Sequence, residues 1–407
     1  MRYDPFDPAI RDDPQPVYAW LREEHPVYRS SPTDTWVLSR YEDVAAALTD
    51  HDRFSSDAMN GVLLGYPMGD GKERLPRSAA RGGLVAVDPP AHSELRRIVN
   101  RGFTPRTIRD WRARIDEVVA ECLRGATPGK AFDVVGQLAA PVPVAIIAEL
   151  LGAEPDRRDA FRAWADAATE IMSGSKRGGA DLVAEGSAKI LDLAAYLLER
   201  IQERVAAPRQ DLLSVLVKAQ GEDVLSEEEA VGFAALLLFA GSETTTNLIG
   251  NAVQALLDHP DELARVLAEP ARIPAVLEET LRWDGPVQYV FRRATEDVER
   301  HGVTIPTNGI VTLLLASANR DPRRFDDPDS FRPDRDHSDH LGFGLGVHFC
   351  LGAALARAEA ESALRQLLPV LEGCERTGTR PEYVDSYQLR GPRRLEIVPR
   401  RASASRA

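Results

Sequence analysis

The sequence predicts a mainly α-helical fold with small β-sheets. Apolar residues recur with helical spacing through most of the chain from about Pro14 to Leu281. The clearest helical segments are 107–123, 182–205 and 226–257. Segments with strand character are shorter and fewer, so helix is expected to dominate.

The longest predicted helix has a defined beginning. Ser226, followed three residues later by Glu229, is a capping-box pattern that places the helix start just before the apolar run 231–240. The helix is expected to extend for about thirty residues, to His259-Pro260.

The predicted strands lie at 35–38, 298–305, 310–314 and 394–398. Residues 319–340 are rich in Asp, Pro and Arg and predict an irregular connection. We find no internal repeat, and expect one domain over residues 1–407 with a flexible tail at 400–407.

Charge and cysteine content exclude several kinds of protein. A net charge of −13 argues against general binding to nucleic acid or anionic membranes. Three cysteines, with no CxxC pair, make neither a disulfide framework nor a four-cysteine zinc site. We see no signal peptide, and the longest apolar run, 233–240, is shorter than the ~20 residues of a membrane span. A cytoplasmic, unanchored monomer is expected.

The most informative segment is 343–352, with the sequence FGLGVHFCLG. Its glycines permit positive φ and close approach to a flat ligand, and Cys350 precedes a helical stretch whose N-terminal amides favour an anionic sulfur. Alone, such a segment is also compatible with an ordinary glycine turn. A dinucleotide loop would require a βαβ context that is not seen here.

The full pattern resembles the haem-binding loop of the cytochrome P450 superfamily, soluble bacterial type, and matches it at every fixed position. This resemblance implies a cytochrome P450 fold, with haem b buried between the long central helix and the cysteine loop. It makes Cys350 the iron ligand and His348 a contact of a haem propionate. Further cofactor contacts are implied for Ala240, Phe343, Gly344 and Gly352.

A second motif supports the same family. Glu279 and Arg282 are three residues apart on one predicted helix face and can form an ion pair. They resemble the family's ExxR motif, whose second arginine corresponds to Arg335 in the irregular segment. A buried Glu-Arg-Arg network implies structural support of the haem loop.

A third motif, AGSETT at 240–245, lies inside the long helix. Its small residues would let a macrocycle and dioxygen approach, and a threonine can bond back to the carbonyl of Ala240. It resembles the oxygen-activation motif, with Glu243 and Thr244 as the acid and alcohol that deliver protons. Many relatives have Asp where this chain has Glu243.

The remaining ligand contacts depend on the resemblance. His92 and Arg96 are similar to the family's HxxxR site for propionates, and Arg292 is similar to a further propionate arginine. By family position, the substrate pocket uses the loop 56–85, the segment 287–291 and the turn 387–389. The pocket residues predicted individually are Leu236, Phe239, Val287, Val290, Phe291 and Leu389.

The implied function is insertion of one oxygen atom from O2 into a lipophilic small molecule, such as a macrolide, terpenoid or aromatic natural product. Electrons are expected from NAD(P)H through a ferredoxin reductase and a ferredoxin. Arg97, Arg101, Arg106 and Arg109 are candidates for a basic docking patch near the cysteine, and are equally compatible with ordinary solvated helix arginines. Two alternatives remain open: a peroxygenase driven by hydrogen peroxide, and a non-catalytic haem-binding module. The retained Thr244 and Cys350 argue against them.

Overall fold

Helices make up most of the chain in the computed structural model, which describes residues 1–59, 83–172, 180–221, 225–378 and 382–400. The helices are α1 (Pro8–Asp12), α2 (Gln15–Glu24), α3 (Tyr41–Thr49), α4 (Ala91–Val99), α5 (Pro105–Leu123), α6 (Pro141–Leu150), α7 (Arg158–Met172), α8 (Ala180–Ala206), α9 (Leu212–Gly221), α10 (Glu227–Asp258), α11 (Pro260–Ala268), α12 (Ile273–Trp283), α13 (Leu315–Ala318) and α14 (Ala353–Leu371). The three clearest sequence segments correspond to α5, α8 and α10. The predicted mainly α-helical fold is confirmed.

The central helix α10 begins as the sequence predicts. The Ser226 hydroxyl accepts a hydrogen bond from the Glu229 amide at 3.2 Å, and the Glu229 carboxylate accepts one from the Ser226 amide at 2.7 Å. The helix packs against α6, α7, α8, α9, α12 and α14. Residues 245–253 are all buried, as expected of a helix enclosed on every side.

Within the described residues, the strands form three small sheets. They are β1 (Val27–Ser30), β2 (Thr35–Leu38), β3 (Phe54–Ser55), β4 (Phe132–Asp133), β5 (Val290–Ala294), β6 (Val298–Arg300), β7 (Val303–Ile305), β8 (Ile310–Leu313), β9 (Glu375–Arg376) and β10 (Glu396–Val398). The largest sheet has the order β1-β2-β8-β5-β3, and only its β2-β8 pair is parallel. The other sheets are β4-β10-β9 and the hairpin β6-β7.

One strand prediction needs correction. Residues 298–305 form two strands rather than one, because His301 and Gly302 take positive φ of 50° and 74° and turn the chain back. Consecutive positive φ angles are typical of the tight turns that join antiparallel strands. The predicted irregular segment 319–340 contains neither helix nor strand.

The apolar core lies mainly around α10, against which α6 and α14 pack, and α5 packs in turn against α14 and α6. A smaller cluster, including Leu38, Val311 and Leu313, covers the largest sheet. In the described ranges, no helix is both long enough and apolar enough to cross a membrane. Of the predicted tail, only Arg400 belongs to the described residues.

Candidate functional site

The cysteine loop, residues 341–352, folds back on itself before α14 begins. Gly344 and Gly346 both have a φ of 72°, a conformation that side chains with a Cβ rarely adopt. The turn allows the Cys350 amide to donate to the carbonyl of Phe343 at 2.9 Å. Cys350 is thereby held three residues before the first residue of α14.

The surroundings of Cys350 act on its thiol in opposite directions. Burial raises the pKa of Cys350, while backbone N–H groups of Gly352 and Ala353 and the charges of Arg96 and Arg357 lower it. Two amides at a helix start and two nearby cations favour the thiolate form of Cys350 over the neutral thiol, against the effect of burial.

Cys350 lines a cavity of about 290 Å³ that also reaches the central helix α10. On α10, the cavity is lined by positions with i, i+3, i+4 spacing, which form one helix face. These positions are Phe233, Leu236, Leu237, Ala240, Gly241, Thr244, Thr245 and Leu248. A Cβ added to Gly241 would meet no atom within 4 Å, so the cavity is open directly against the helix backbone.

The predicted acid and alcohol occupy neighbouring positions on α10. The Thr244 hydroxyl donates to the carbonyl of Ala240 at 2.7 Å, the back-bond predicted from the sequence, although α10 stays helical through this point. Glu243 accepts a hydrogen bond from the amide of Asn247 at 3.4 Å. Burial, with a contribution from Asp166, raises the pKa of Glu243, against hydrogen bonds from Asn247 and Thr169 that lower it.

Two histidines meet at one edge of the cavity. The rings of His92 and His348 lie 4.3 Å apart, and His348 Nε2 is 2.8 Å from the Ser56 hydroxyl. Both nitrogens of His92 are buried without a hydrogen-bond partner among the described residues. Burial and the nearby cations, with Arg292 the strongest, lower the pKa of His348 to about 3.

Arg96 and Arg292 line the same cavity. Arg292 is 4% exposed, and burial lowers its pKa to about 10. Its Nη1 donates a hydrogen bond to the backbone carbonyl of Phe291 at 2.8 Å. Asp88 offsets part of the charge, but that carboxylate accepts hydrogen bonds from Ser55 and the Ser56 amide. The edge therefore retains excess positive charge that a bound anion would neutralise.

The Glu279 network is buried and fully hydrogen-bonded. Glu279, 0% exposed, receives two hydrogen bonds from Arg282 at 2.8 Å and one from Arg335 at 3.1 Å. The Arg332 amide donates a further one at 2.6 Å. Other N–H groups of Arg282 and Arg335 donate hydrogen bonds to backbone carbonyls of the irregular segment, so α12 holds that segment in place.

Comparison with known proteins gives a consistent result. The family model described as Cytochrome P450 matches residues 182–377. The chain is 39% identical to the cytochrome P450 monooxygenase PikC of Streptomyces venezuelae over 88% of this chain and 83% of PikC. It is 40% identical to the erythromycin C-12 hydroxylase of Saccharopolyspora erythraea, covering 86% and 84% of the two chains.

The solved structure of cytochrome P450 CYP109Q5 from Chondromyces apiculatus superposes with a TM-score of 0.87 at 37% identity, covering 99% of each chain. The chain belongs to the cytochrome P450 family. It is a P450 monooxygenase, and its helical body with small sheets is the P450 fold.

Membership of the P450 family implies haem, and the cavity fits this group. The buried ring of His92, whose nitrogens have no partner among the described residues, can donate one N–H to an anionic propionate, and the buried cation Arg292 provides further donors. Gly241 and Gly352 leave the cavity open, since a Cβ on either would contact nothing within 4 Å. Phe343, Gly344 and Ala240 also line the cavity, as the resemblance implies.

The predicted substrate-pocket residues divide into two groups. Leu236, Val287 and Val290 line the cavity, whereas Phe239, Phe291 and Leu389 are absent from its lining. Helix and strand periodicity accounts for the absence of two of these residues from the lining. Phe239 lies off the lining face of α10, and Phe291 points away from Val290 and Arg292, its neighbours on β5, toward Tyr289.

Leu389 lies beside a small separate cavity near the N-terminus and pairs with Val287 in an isolated bridge. Within the predicted loop 56–85, residues 60–82 lie outside the described residues. Leu84 and Val85 line the cavity.

Sequence reasoning missed one ionisable residue of the cavity, Glu359 on α14. It is 2% exposed, and burial raises its pKa to about 8. Its position could have been found from the helical spacing of Gly352, Leu355, Ala356 and Glu359, which places all four on one face.

Proposed function

We propose that the enzyme inserts one oxygen atom from O2 into a lipophilic small molecule, with electrons supplied from NAD(P)H by a ferredoxin reductase and a ferredoxin. The observation that carries this proposal is a single apolar cavity lined by Cys350 on one element and Thr244 on another. Haem held by the Cys350 thiolate would supply the activation of O2 and the transfer of one oxygen atom to a C–H or C=C bond.

The residues of the cavity edge have assigned roles in this proposal. Cys350 binds the iron, and His92, Arg96, Arg292 and His348 hold the two propionates. Arginine suits this role because its guanidinium pairs with carboxylate in two-pronged fashion. Glu279, Arg282 and Arg335 support the loop and touch no reactant.

Proton delivery is assigned to Glu243 and Thr244. The Thr244 hydroxyl gives its hydrogen to the Ala240 carbonyl, so its oxygen can accept a hydrogen bond from a water or substrate group in the cavity. Glu243 has a raised pKa, so a larger share of this carboxyl carries a proton near neutral pH than for an exposed glutamate. We assign it the resupply of protons to Thr244; its carboxylate contacts Asn247 and does not itself line the cavity.

The substrate is proposed to be a natural-product scaffold such as a macrolide, terpenoid or aromatic compound. Leu84, Phe233, Leu236, Val287 and Val290 give the cavity an apolar lining. Relatives support this class: one is named erythromycin C-12 hydroxylase, and one is named cyclomarin C epoxidase CymV, from Salinispora arenicola.

The ferredoxin is proposed to dock beside the cysteine loop. Arg97, Arg101, Arg106 and Arg109 are all exposed. Arg109 also lines a surface groove that includes Ala354 and Arg357 of α14. In the loop, Leu345, Val347 and Phe349 are 37 to 41% exposed. A positive surface with exposed apolar side chains fits a small acidic protein. We place this exchange in the cytoplasm.

The test is product formation by the haem-loaded enzyme on a substrate found by spin-shift screening of such scaffolds. Three conditions are compared: NADPH with ferredoxin reductase and ferredoxin, hydrogen peroxide alone, and neither. Ferredoxin-dependent product supports the proposal. Product with peroxide alone would establish a peroxygenase instead, and no product in any condition would favour a haem-binding module.

A variant pair tests the docking surface. Arg109→Glu should raise the KM for ferredoxin and leave substrate binding unchanged, while Arg393→Glu, an exposed arginine on another segment, should do neither. Equal KM values for both variants would contradict docking at Arg109.

A further inference from the structure

Glu278 and Glu279 are neighbours on α12 but belong to different networks. Glu279 binds the irregular segment through Arg282 and Arg335. Glu278 instead receives two hydrogen bonds from Arg357, Nε to Oε1 at 2.6 Å and Nη2 to Oε2 at 2.8 Å. This two-pronged geometry is the strongest arrangement available to an arginine and a carboxylate.

Glu278 also binds a residue on the other side of the cysteine loop. His340 Nε2 lies 2.9 Å from Glu278 Oε2, while His340 Nδ1 accepts a hydrogen bond from the Gly342 amide at 3.0 Å. Since Nδ1 accepts, Nε2 carries the hydrogen and donates it to Glu278. His340 precedes the loop and Arg357 follows it, so one carboxylate on α12 connects the chain on both sides of Cys350.

Arg357 brings a positive charge close to the sulfur. Its guanidinium lies 4.5 Å from the centre of the Phe343 ring, and the Phe343 carbonyl accepts the Cys350 amide at 2.9 Å. A cation over an aromatic face is held by the negative potential of that face. The ring that Arg357 covers therefore belongs to the same residue whose carbonyl holds the Cys350 amide, which places the Arg357 charge beside the turn that carries the sulfur.

Glu278 offsets that charge. Hydrogen bonds from Arg357 and His340, against the effect of burial, lower the pKa of Glu278 to about 2, so it is ionised throughout the neutral range. The cation beside the cysteine loop is therefore paired with an anion, and both charges contribute to the electrostatic potential at the loop, together with Arg96, which lines the same cavity as Cys350.

We propose that Glu278, His340 and Arg357 form a clip that positions the cysteine loop and tunes the reduction potential of the iron bound at Cys350. The proposal rests on the assignment of Cys350 as the iron ligand. The relevant step is the one-electron reduction of ferric to ferrous haem, in which the site gains one negative charge. A nearby cation favours that step and a nearby anion opposes it. The three residues are positioning residues, since none of them lines the cavity shared by Cys350 and Thr244.

The experiment is a reductive titration of the haem-loaded protein with dithionite, which supplies the electron, in wild type and four variants. Arg357→Gln should lower the reduction potential and Glu278→Gln should raise it, because the first removes a cation and the second leaves that cation unbalanced. Arg357→Lys keeps the charge and should stay near wild type. Glu361→Gln is the matched control, since Glu361 lies on α14 four residues after Arg357 but pairs with Arg112 and Arg365.

Shifts of opposite sign support the tuning role, and a purely structural clip would not produce them. The tuning role would be overturned if the reduction potentials of Arg357→Gln and Glu278→Gln shifted equally or in the same direction. It would also be overturned if Glu361→Gln shifted the potential as much as the clip variants do. If Arg357→Gln binds no haem, the other two clip variants still test the proposal. The reduction potential of Glu278→Gln must rise, and that of Arg357→Lys must stay near the wild-type value. The reduced carbon monoxide spectrum of wild type is recorded first. Absence of its thiolate band would overturn both the Cys350 assignment and the clip, whereas an intact band without shifts overturns the clip alone.

Discussion

Replacing Glu279 by alanine should destabilise the protein strongly, because the substitution leaves two buried arginines without their anion. Glu279 is completely buried and accepts hydrogen bonds from Arg282, Arg335 and the Arg332 amide. Removing one partner of a buried ion pair costs about 3 to 5 kcal/mol. Typical stabilities are about 5 to 15 kcal/mol, so the loss is a substantial fraction.

The loss can be expressed as a melting temperature. An unfolding entropy of about 2.1 cal/mol/K per residue, over 407 residues, gives roughly 0.9 kcal/mol/K. The midpoint should therefore fall by about 4 to 6 °C. Much of the variant should also be insoluble or free of haem, since the 319–340 segment leads directly into the cysteine loop.

The assay is thermal unfolding of purified wild type and variant, with haem content measured on the same samples. The matched control is Arg265→Ala, which removes an exposed ion pair to Glu262 on α11 and should change the free energy of unfolding by no more than about 1 kcal/mol. A Glu279→Ala protein that carries a full complement of haem and melts with the control would refute the structural role of the network.

Three further outcomes follow from the cavity. Thr244→Ala should retain haem and substrate binding but lose coupling, with product per NAD(P)H falling roughly tenfold and hydrogen peroxide formation rising. The control Ser242→Ala, which removes the same type of back-bond to Leu238, should remain coupled. Unchanged coupling in Thr244→Ala would contradict proton delivery by the Thr244 hydroxyl. Burial raises the pKa of Glu359 from its ordinary value of 4.5 to about 8, so the folded state holds an extra proton between these pH values. The free energy of unfolding should therefore fall as pH rises through that window, by at most about 1.4 kcal/mol per pH unit. Glu359→Gln should flatten this pH dependence between pH 5 and 9, and an unchanged slope would show that the carboxyl does not titrate this way. Arg292→Gln should release haem to apomyoglobin faster than wild type, since a buried propionate partner is lost, and equal release rates would exclude that contact.

Residues in short, contiguous motifs were accessible to sequence reasoning. Glu279 and Arg282 pair through helical spacing alone, and the Thr244 back-bond to Ala240 follows from the same geometry. Arg335 is different, because its contact with Glu279 spans 56 residues and has no local signal. The resemblance to the P450 family supplied it.

Polar residues that face the cavity made one strand hard to predict from the sequence. Strand β5 was not predicted, since its sequence VFRRA lacks an apolar alternation. Arg292 occupies a buried position on β5 and lines the cavity. A charged residue at such a position suits binding of an anion rather than packing of the core, so the strand lacks the usual apolar pattern. Helix α10 shows the reverse case: its residues are apolar on several faces, so composition alone did not distinguish cavity-lining Leu236 from Phe239.

The reduced carbon monoxide difference spectrum tests the central assignment most directly. Wild type, Cys122→Ser and Cys374→Ser should all show the red-shifted band of thiolate-ligated haem, because neither of these cysteines lines the cavity. Cys350→His should bind haem without that band. Retention of the band in Cys350→His, or its loss in either of the other variants, would contradict the assignment of Cys350 as the iron ligand.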